Sequence, residues 1–144
     1  IDKSNYENFQ SIYPNIEFYH HFEEMIESKN IDILSICTPT QTHLETVRTI
    51  VKLKPPKAIF IEKPMGQNEN EALEIEKLCK ESNIILAVNY MRRWESKYEK
   101  LYQIIKSNGL GRLQSISAYG CTALLTSTSH LIDYFFIMVE MLTG

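Results

Sequence analysis

The segment most informative about the fold reads Ile31-Asp32-Ile33-Leu34-Ser35-Ile36-Cys37, and Thr38-Pro39-Thr40 follows it directly. It is nearly all apolar and rich in β-branched residues, which is typical of a strand that is covered on both faces in a parallel sheet. Thr38-Pro39-Thr40 ends the strand, and Thr40 is placed to cap a helix that runs to about Leu53. The segment therefore predicts a strand, a polar loop and an amphipathic helix, in that order.

The same unit recurs twice farther along the chain. A second buried strand is predicted at residues 57–61, followed by a helix at about 70–80. A third strand is predicted at 84–88, followed by a helix at about 96–106. Strands and helices that alternate at this spacing favour right-handed crossovers. They indicate an α/β fold in which helices flank a parallel sheet on both faces.

The pattern changes towards the end of the chain. After Gly111, residues 112–119 alternate between apolar and polar, which predicts a half-exposed strand in a second, mainly antiparallel sheet. An apolar helix is predicted at 131–138. We therefore expect a first domain over residues 1–110 and the beginning of a second, α/β domain over 111–144. The elements predicted before the first strand are a helix from Ser4 to about Ile12, an extended segment at 16–19 and a helix at 22–27.

The composition limits the class of protein. The chain has 144 residues, of which 44% are hydrophobic, and this apolar fraction argues against disorder. The net charge is −3 and no block of five like charges occurs, so neither nucleic acid nor a membrane surface is expected as a partner. No apolar run approaches the roughly 18 residues of a spanning helix. The three cysteines are widely spaced and lie in apolar stretches, so we expect buried thiols and a cytoplasmic protein.

The two ends of the sequence look cut. The chain starts at Ile1 without an initiator Met or a signal peptide, and it stops at Gly144 directly after an apolar segment. We therefore expect a fragment of a longer protein.

Three loops of the predicted sheet carry polar side chains directly after a strand. They are residues 38–43, Glu62-Lys63-Pro64 and residues 89–93. The carboxyl ends of parallel strands form the ligand-binding crevice of open sheets, so these loops are expected to form one site. A Lys held between a buried strand and a Pro can give or take a proton, which makes Lys63 the strongest candidate. The alternative is a strand-end Lys that only pairs with Glu62.

The other candidate residues have structural alternatives. His43 lies in the first turn of a helix, where a capping or solvent-facing His is more common than a functional one. His130 precedes an apolar helix and can share a helix face with Asp133. Arg92-Arg93 can clamp a phosphate or carboxylate, or can simply be solvated. No cluster of side chains has the spacing of a metal site, and no glycine-rich loop joins a strand to a helix.

The order of these features resembles the glucose–fructose oxidoreductase/inositol dehydrogenase (Gfo/Idh/MocA-like) family of NAD(P)-dependent oxidoreductases. The motifs that carry the resemblance are Asp32-x(5)-Thr38-Pro39-x(3)-His43, Glu62-Lys63-Pro64, Asn89-Tyr90-x-Arg92-Arg93, Gly109-Leu110-Gly111-Arg112 and His130-Leu131-Ile132-Asp133. The resemblance implies an incomplete Rossmann-like sheet without its first glycine-rich unit, followed by the start of a domain with an open, mainly antiparallel sheet.

The resemblance also implies roles for particular residues. Lys63 and His130 would be catalytic and would handle the proton of the reacting hydroxyl. The cofactor, NAD or NADP, would be bound by residues of the strand-end loops and by one acidic residue near the start of the chain. These residues are Asp2, Thr38, Pro39, His43, Glu62, Lys63, Pro64, Asn89 and Arg93.

The implied reaction is hydride transfer between nicotinamide and a secondary alcohol or ketone of a sugar, cyclitol or sugar derivative. The similar family forms homo-oligomers, so a dimer or tetramer is expected. The family often has an Asp four residues before the catalytic His, where this chain has Thr126. A non-catalytic relative that binds a nucleotide or sugar is therefore the alternative. A receiver-type signalling domain is a third interpretation, although it needs an Asp at the strand end, where this chain has Cys37-Thr38.

Overall fold

A parallel sheet of three strands forms the centre of the molecule. The structure is a computed structural model that describes residues 3–109, 111, 114–117, 119 and 127–143. The strands are β1 (Ile33–Ile36), β2 (Ala58–Glu62) and β3 (Ile85–Asn89), in the order β1-β2-β3. Both pairings are parallel, as predicted.

Helices precede, connect and follow the strands, close to the predicted positions. They are α1 (Lys3–Ile12), α2 (Phe22–Ser28), α3 (His43–Leu53), α4 (Glu69–Glu81), α5 (Ser96–Lys106) and α6 (Ser127–Thr143). Short 3-10 turns at Thr40–Thr42 and Met91–Trp94 connect β1 to α3 and β3 to α5. Because the chain enters α3 through a 3-10 turn, Thr40 does not cap that helix; Thr42 donates its hydroxyl to the Pro39 carbonyl at 2.8 Å instead.

Two predicted extended segments are not strands. Residues 16–19 have irregular backbone, and so do the described residues 114–117 and 119. The remaining residues of the strand predicted at 112–119 lie outside the described part of the chain. The division into domains at residues 110 and 111 stays a prediction.

One face of the sheet carries the hydrophobic core. Ile59 and Ile61 of β2 are fully buried there, beneath Val47 and Ile50 of α3 and Ile75 of α4. Complete burial of side chains of this size stabilises the fold by about 1.5–3 kcal/mol each. The core therefore joins β2 to the two helices that flank it in sequence.

The opposite face of the sheet is open among the described residues. Ile33 and Ile85 are each 71% exposed, and Phe60 between them is 37% exposed. The prediction of strands covered on both faces is therefore wrong for the part of the chain that the structure describes. The reason is the strand order β1-β2-β3, in which each new strand is added on the same side of the one before it. Two right-handed crossovers that run in the same direction place their helices, α3 and α4, on the same face of the sheet.

The cysteines differ in their environments. Cys79 is buried in the core, as predicted, whereas Cys37 is exposed at the end of β1. Cys121 lies outside the described residues. No helix in the described part of the chain is both long enough and apolar enough to cross a membrane.

Candidate functional site

The carboxyl ends of the three strands bring the predicted polar residues to one edge of the sheet. Glu62 and Asn89 end β2 and β3 and are direct partners in the parallel register. The Asn89 side chain donates from Nδ2 to Glu62 Oε1 at 2.6 Å. Thr38, which follows β1, is exposed at the same edge. The predicted convergence of strand-end residues is therefore present in the fold.

Lys63 follows directly after β2 and is half-buried. The peptide bond between Lys63 and Pro64 is cis. The positive charge of Lys63 acts on His130 and contributes to a lowered pKa of that imidazole. Two side chains that are 67 positions apart in the sequence thus influence each other electrostatically.

His130 lies in the first turns of α6 and is only 7% exposed. Its Nδ1 atom is buried and has no hydrogen-bond partner among the described residues. The ring of Tyr90 packs edge-on against the imidazole, with 5.8 Å between the ring centroids. Burial is the main cause of the lowered pKa of His130; the cations Arg92 and Lys63 lower it further, and Asp133 with Glu62 opposes them.

Arg93 and Asp133 form an ion pair beside this imidazole. Arg93 Nε donates to Asp133 Oδ2 at 2.7 Å, and Arg93 Nη2 donates to Asp133 Oδ1. Asp133 is 9% exposed, and Arg93 is about half-exposed. One helical turn separates Asp133 from His130, so the helix brings the carboxylate to the same side as the ring.

Tyr134 fixes the same region from a third position on α6. Its hydroxyl donates to the Arg92 carbonyl, and its ring lies 4.2 Å from that of Tyr98 in α5. Burial raises the pKa of Tyr134 to about 12, so the hydroxyl stays protonated and available as a donor.

His43 joins two of the strand-end loops from within the protein. It is fully buried, with Nε2 2.9 Å from the Thr38 carbonyl oxygen and Nδ1 3.2 Å from that of Met65. The alternative of a solvent-facing or capping His43 is therefore wrong. The hydroxyl groups of Thr38 and Thr42 reinforce the first loop, with 2.8 Å between their Oγ1 atoms. Contact of Thr38, Pro39 or His43 with a cofactor stays a prediction.

Asp2, expected to bind the cofactor, and Thr126 lie outside the described part of the chain. Within the described residues, no group of three or more His, Cys, Asp or Glu side chains is placed to hold a metal ion.

Sequence reasoning missed two features of the site. The acceptor for His43 at Met65 is a backbone carbonyl 22 positions away, which no side-chain motif reveals. The pairing of Arg93 with Asp133 spans 40 positions. The only sequence signal for it is the helical spacing that places Asp133 beside His130.

Residues 1–90 of the chain match the GFO_IDH_MocA family, which is described as an oxidoreductase family with an NAD-binding Rossmann fold. The chain belongs to this family. The match covers more than half of the 144 residues. It confirms the resemblance drawn from the motifs and the Rossmann-like fold class, and it makes the receiver-type interpretation wrong.

The chain matches only part of the length of those relatives whose activities are named. The chain is 26% identical over 119 residues to scyllo-inositol 2-dehydrogenase (NADP(+)) of Bacillus subtilis, covering 83% of this chain and 32% of that protein. It is 32% identical over 89 residues to scyllo-inositol 2-dehydrogenase (NAD(+)) of the same species, covering 62% of this chain and 25% of that protein.

A solved structure supports the same relationship. The crystal structure of myo-inositol 2-dehydrogenase from Lactobacillus plantarum is similar with a TM-score of 0.69 at 27% identity. The similarity covers 78% of this chain and 33% of that one. The chain thus spans about a third or less of the length of these relatives.

Proposed function

We propose that the protein to which this chain belongs is an NAD(P)-dependent oxidoreductase that interconverts a secondary alcohol and a ketone on a sugar, cyclitol or sugar derivative. The observation that carries the proposal is the electrostatic influence of half-buried Lys63, which follows β2 directly, on buried His130, whose Nδ1 has no hydrogen-bond partner among the described residues. The inositol dehydrogenases among its relatives support this substrate class. The cytoplasmic location and the homodimer or homotetramer stay predictions.

The residues at the strand ends suit the nicotinamide end of such a cofactor. The hydroxyl of Thr38, the carboxylate of Glu62 and the amide of Asn89 offer donors and acceptors for ribose hydroxyls and a carboxamide. When bound, the nicotinamide ring exchanges a hydride with the substrate carbon. The relatives include NAD(+) and NADP(+) enzymes, so the proposal leaves the cofactor as NAD or NADP.

Lys63 and His130 would have different roles at the substrate oxygen. In the oxidation direction, the ammonium of Lys63 donates a hydrogen bond to the reacting oxygen and orients it. Since the pKa of His130 lies below its ordinary value of 6.5, the imidazole is neutral at pH 7. A neutral ring can accept the hydroxyl proton while the carbon loses hydride.

Substitution of Lys63 tests the proposal in the full-length protein. Lys63→Ala is expected to lower turnover of myo-inositol or scyllo-inositol by about 100-fold or more, since general acid–base groups contribute roughly 10²–10⁴ in rate. Binding of NAD⁺ or NADP⁺, measured by calorimetry, should remain within about threefold, because the loss falls on the reacting oxygen.

Lys57→Ala is the matched control for this experiment. Lys57 precedes the same strand at its amino end, where it pairs with exposed Asp32 at 2.8 Å. Its removal should leave turnover unchanged. Turnover by Lys63→Ala at the wild-type rate would refute the role of Lys63. Cofactor binding without turnover of any polyol by the wild type would favour the non-catalytic alternative, in which Thr126 replaces the carboxylate that the family often has.

A further inference from the structure

The turn after β3 is attached to α6 by contacts from three neighbouring positions of that helix. Asp133 accepts two hydrogen bonds from Arg93, and Tyr134 donates to the Arg92 carbonyl. Tyr90 packs edge-on against His130. The guanidinium of Arg93 also lies 5.8 Å from the centroid of the Tyr90 ring. The side chains of Tyr90 and Arg93 thus lie against the imidazole and the carboxylate from one side.

The ion pair constrains the carboxylate more than a single contact would. A guanidinium that donates through two nitrogens fixes both oxygens of a carboxylate in one plane. Asp133 is 9% exposed, so water competes little for those oxygens. Because Asp133 and His130 are three positions apart on one helix, a fixed Asp133 carboxylate also fixes how the first turns of α6 meet the sheet.

We propose that the Arg93–Asp133 ion pair is a positioning element for His130, which fixes the position of the imidazole relative to the strand-end loops and keeps a negative charge one helical turn from the ring. The proposal rests on the proposed function, since it assigns His130 the proton of the substrate hydroxyl. It also gives this chain a carboxylate near the imidazole although Thr126 stands where an Asp is often found in the family.

The charges around His130 give the pair a measurable effect. Arg92 and Lys63 face the ring with positive charge, Asp133 and Glu62 with negative charge, and Tyr90 packs against it. Removal of the Asp133 charge leaves the two cations opposed by Glu62 alone. The imidazolium then becomes less favourable, and His130 titrates at a lower pH.

The test compares Arg93→Gln, Asp133→Asn and the double variant in the full-length protein. The His130 resonance, assigned by its loss in His130→Gln, is followed by NMR as the pH is varied. Asp133→Asn is expected to move its titration to lower pH by roughly half a unit. Each single variant should lower kcat for myo-inositol by about tenfold, and the cofactor affinity of Asp133→Asn should stay within about twofold.

The double variant separates positioning from independent structural roles. If the two residues act as one unit, the double variant loses no more activity than the worse single variant. Arg48→Gln is the matched control, since Arg48 donates to Glu74 at 2.8 Å and joins α3 to α4 away from the site. It should change neither the His130 titration nor kcat. Arg93→Lys keeps the charge without the two-nitrogen geometry and should lose only part of the activity.

Two outcomes would overturn the proposal. One is a His130 titration in Asp133→Asn that matches the wild type; the other is losses in the single variants that multiply in the double variant. If Arg93→Gln fails to fold, as judged by circular dichroism, Arg93→Lys and Asp133→Asn decide the question. If the wild type turns over no polyol, the proposed function fails while the NMR titration still tests the ion pair.

Discussion

His130 is buried among opposing charges, and this combination predicts how the protein responds to pH. Burial, Arg92 and Lys63 lower its pKa below 6.5, more strongly than Asp133 and Glu62 raise it. Below pH 6.5 the unfolded chain therefore binds a proton more readily than the folded chain does. The contribution of His130 to the free energy of unfolding is fully present above the pKa that this residue has in the unfolded chain. It is lost as the pH falls through the lower pKa of the folded chain.

We therefore expect the free energy of unfolding to fall as the pH is lowered from 6.5 to the lower pKa of folded His130. The rate of alcohol oxidation should fall in the same range, because the imidazole must be neutral to accept a proton. Urea unfolding and kcat measured across this range check both effects. In His130→Gln, the part of the pH dependence of the free energy of unfolding that His130 causes should disappear. An oxidation rate that rises as the imidazole becomes charged would contradict the assigned role.

At the scale of elements, the first residue of α3 controls how two loops meet. His43 is fully buried between the carbonyl oxygens of Thr38 and Met65, which lie in the loops after β1 and β2. Loops at the carboxyl edge of a sheet are otherwise free to vary in position, and a side chain that joins them limits their relative movement. The Thr-Pro…His spacing is therefore explained by loop geometry as well as by any cofactor contact.

Replacement of this imidazole should destabilise the fold. His43→Leu keeps a similar volume but removes the imidazole nitrogens that face two carbonyl oxygens and leaves a buried carbonyl without its donor, so the free energy of unfolding should fall by about 2–4 kcal/mol. Urea unfolding measures the change. His21→Leu is the control, because His21 is exposed and its side chain does not cap α2. Equal stabilities of the two variants would show that the buried hydrogen bonds contribute nothing.

At the scale of the whole molecule, the described sheet is covered on one face only. Ile59 and Ile85 lie on neighbouring strands, yet Ile59 is fully buried and Ile85 is 71% exposed. The two residues differ in the face of the sheet that they occupy and not in chemistry. They therefore form a matched pair for measuring what the helix layer contributes.

In the 144-residue chain, Ile59→Ala should lower the free energy of unfolding by about 2–5 kcal/mol, since it removes a core side chain and leaves a cavity. Ile85→Ala should cost about 0.5 kcal/mol or less, as is usual for exposed positions. Chemical denaturation of the two variants measures the difference. Similar losses would mean that both faces of the sheet are buried in solution.

The amino-acid sequence determined the parallel α/β order and the residues at the strand ends. Both follow from local rules, since apolar runs, helical spacing and strand-ending prolines each act within about ten residues. Glu62, Lys63 and Asn89 could be predicted as neighbours because parallel strands end at a common edge.

Only the tertiary structure decided which face of the sheet is covered, what His43 binds and which residues surround His130. The covered face depends on the direction in which successive crossovers run, which the alternation of elements does not specify. The bonds from His43 to Met65 and from Arg93 to Asp133 join positions 22 and 40 residues apart. Such contacts arise from how complete elements pack together, and no local pattern in the sequence encodes them.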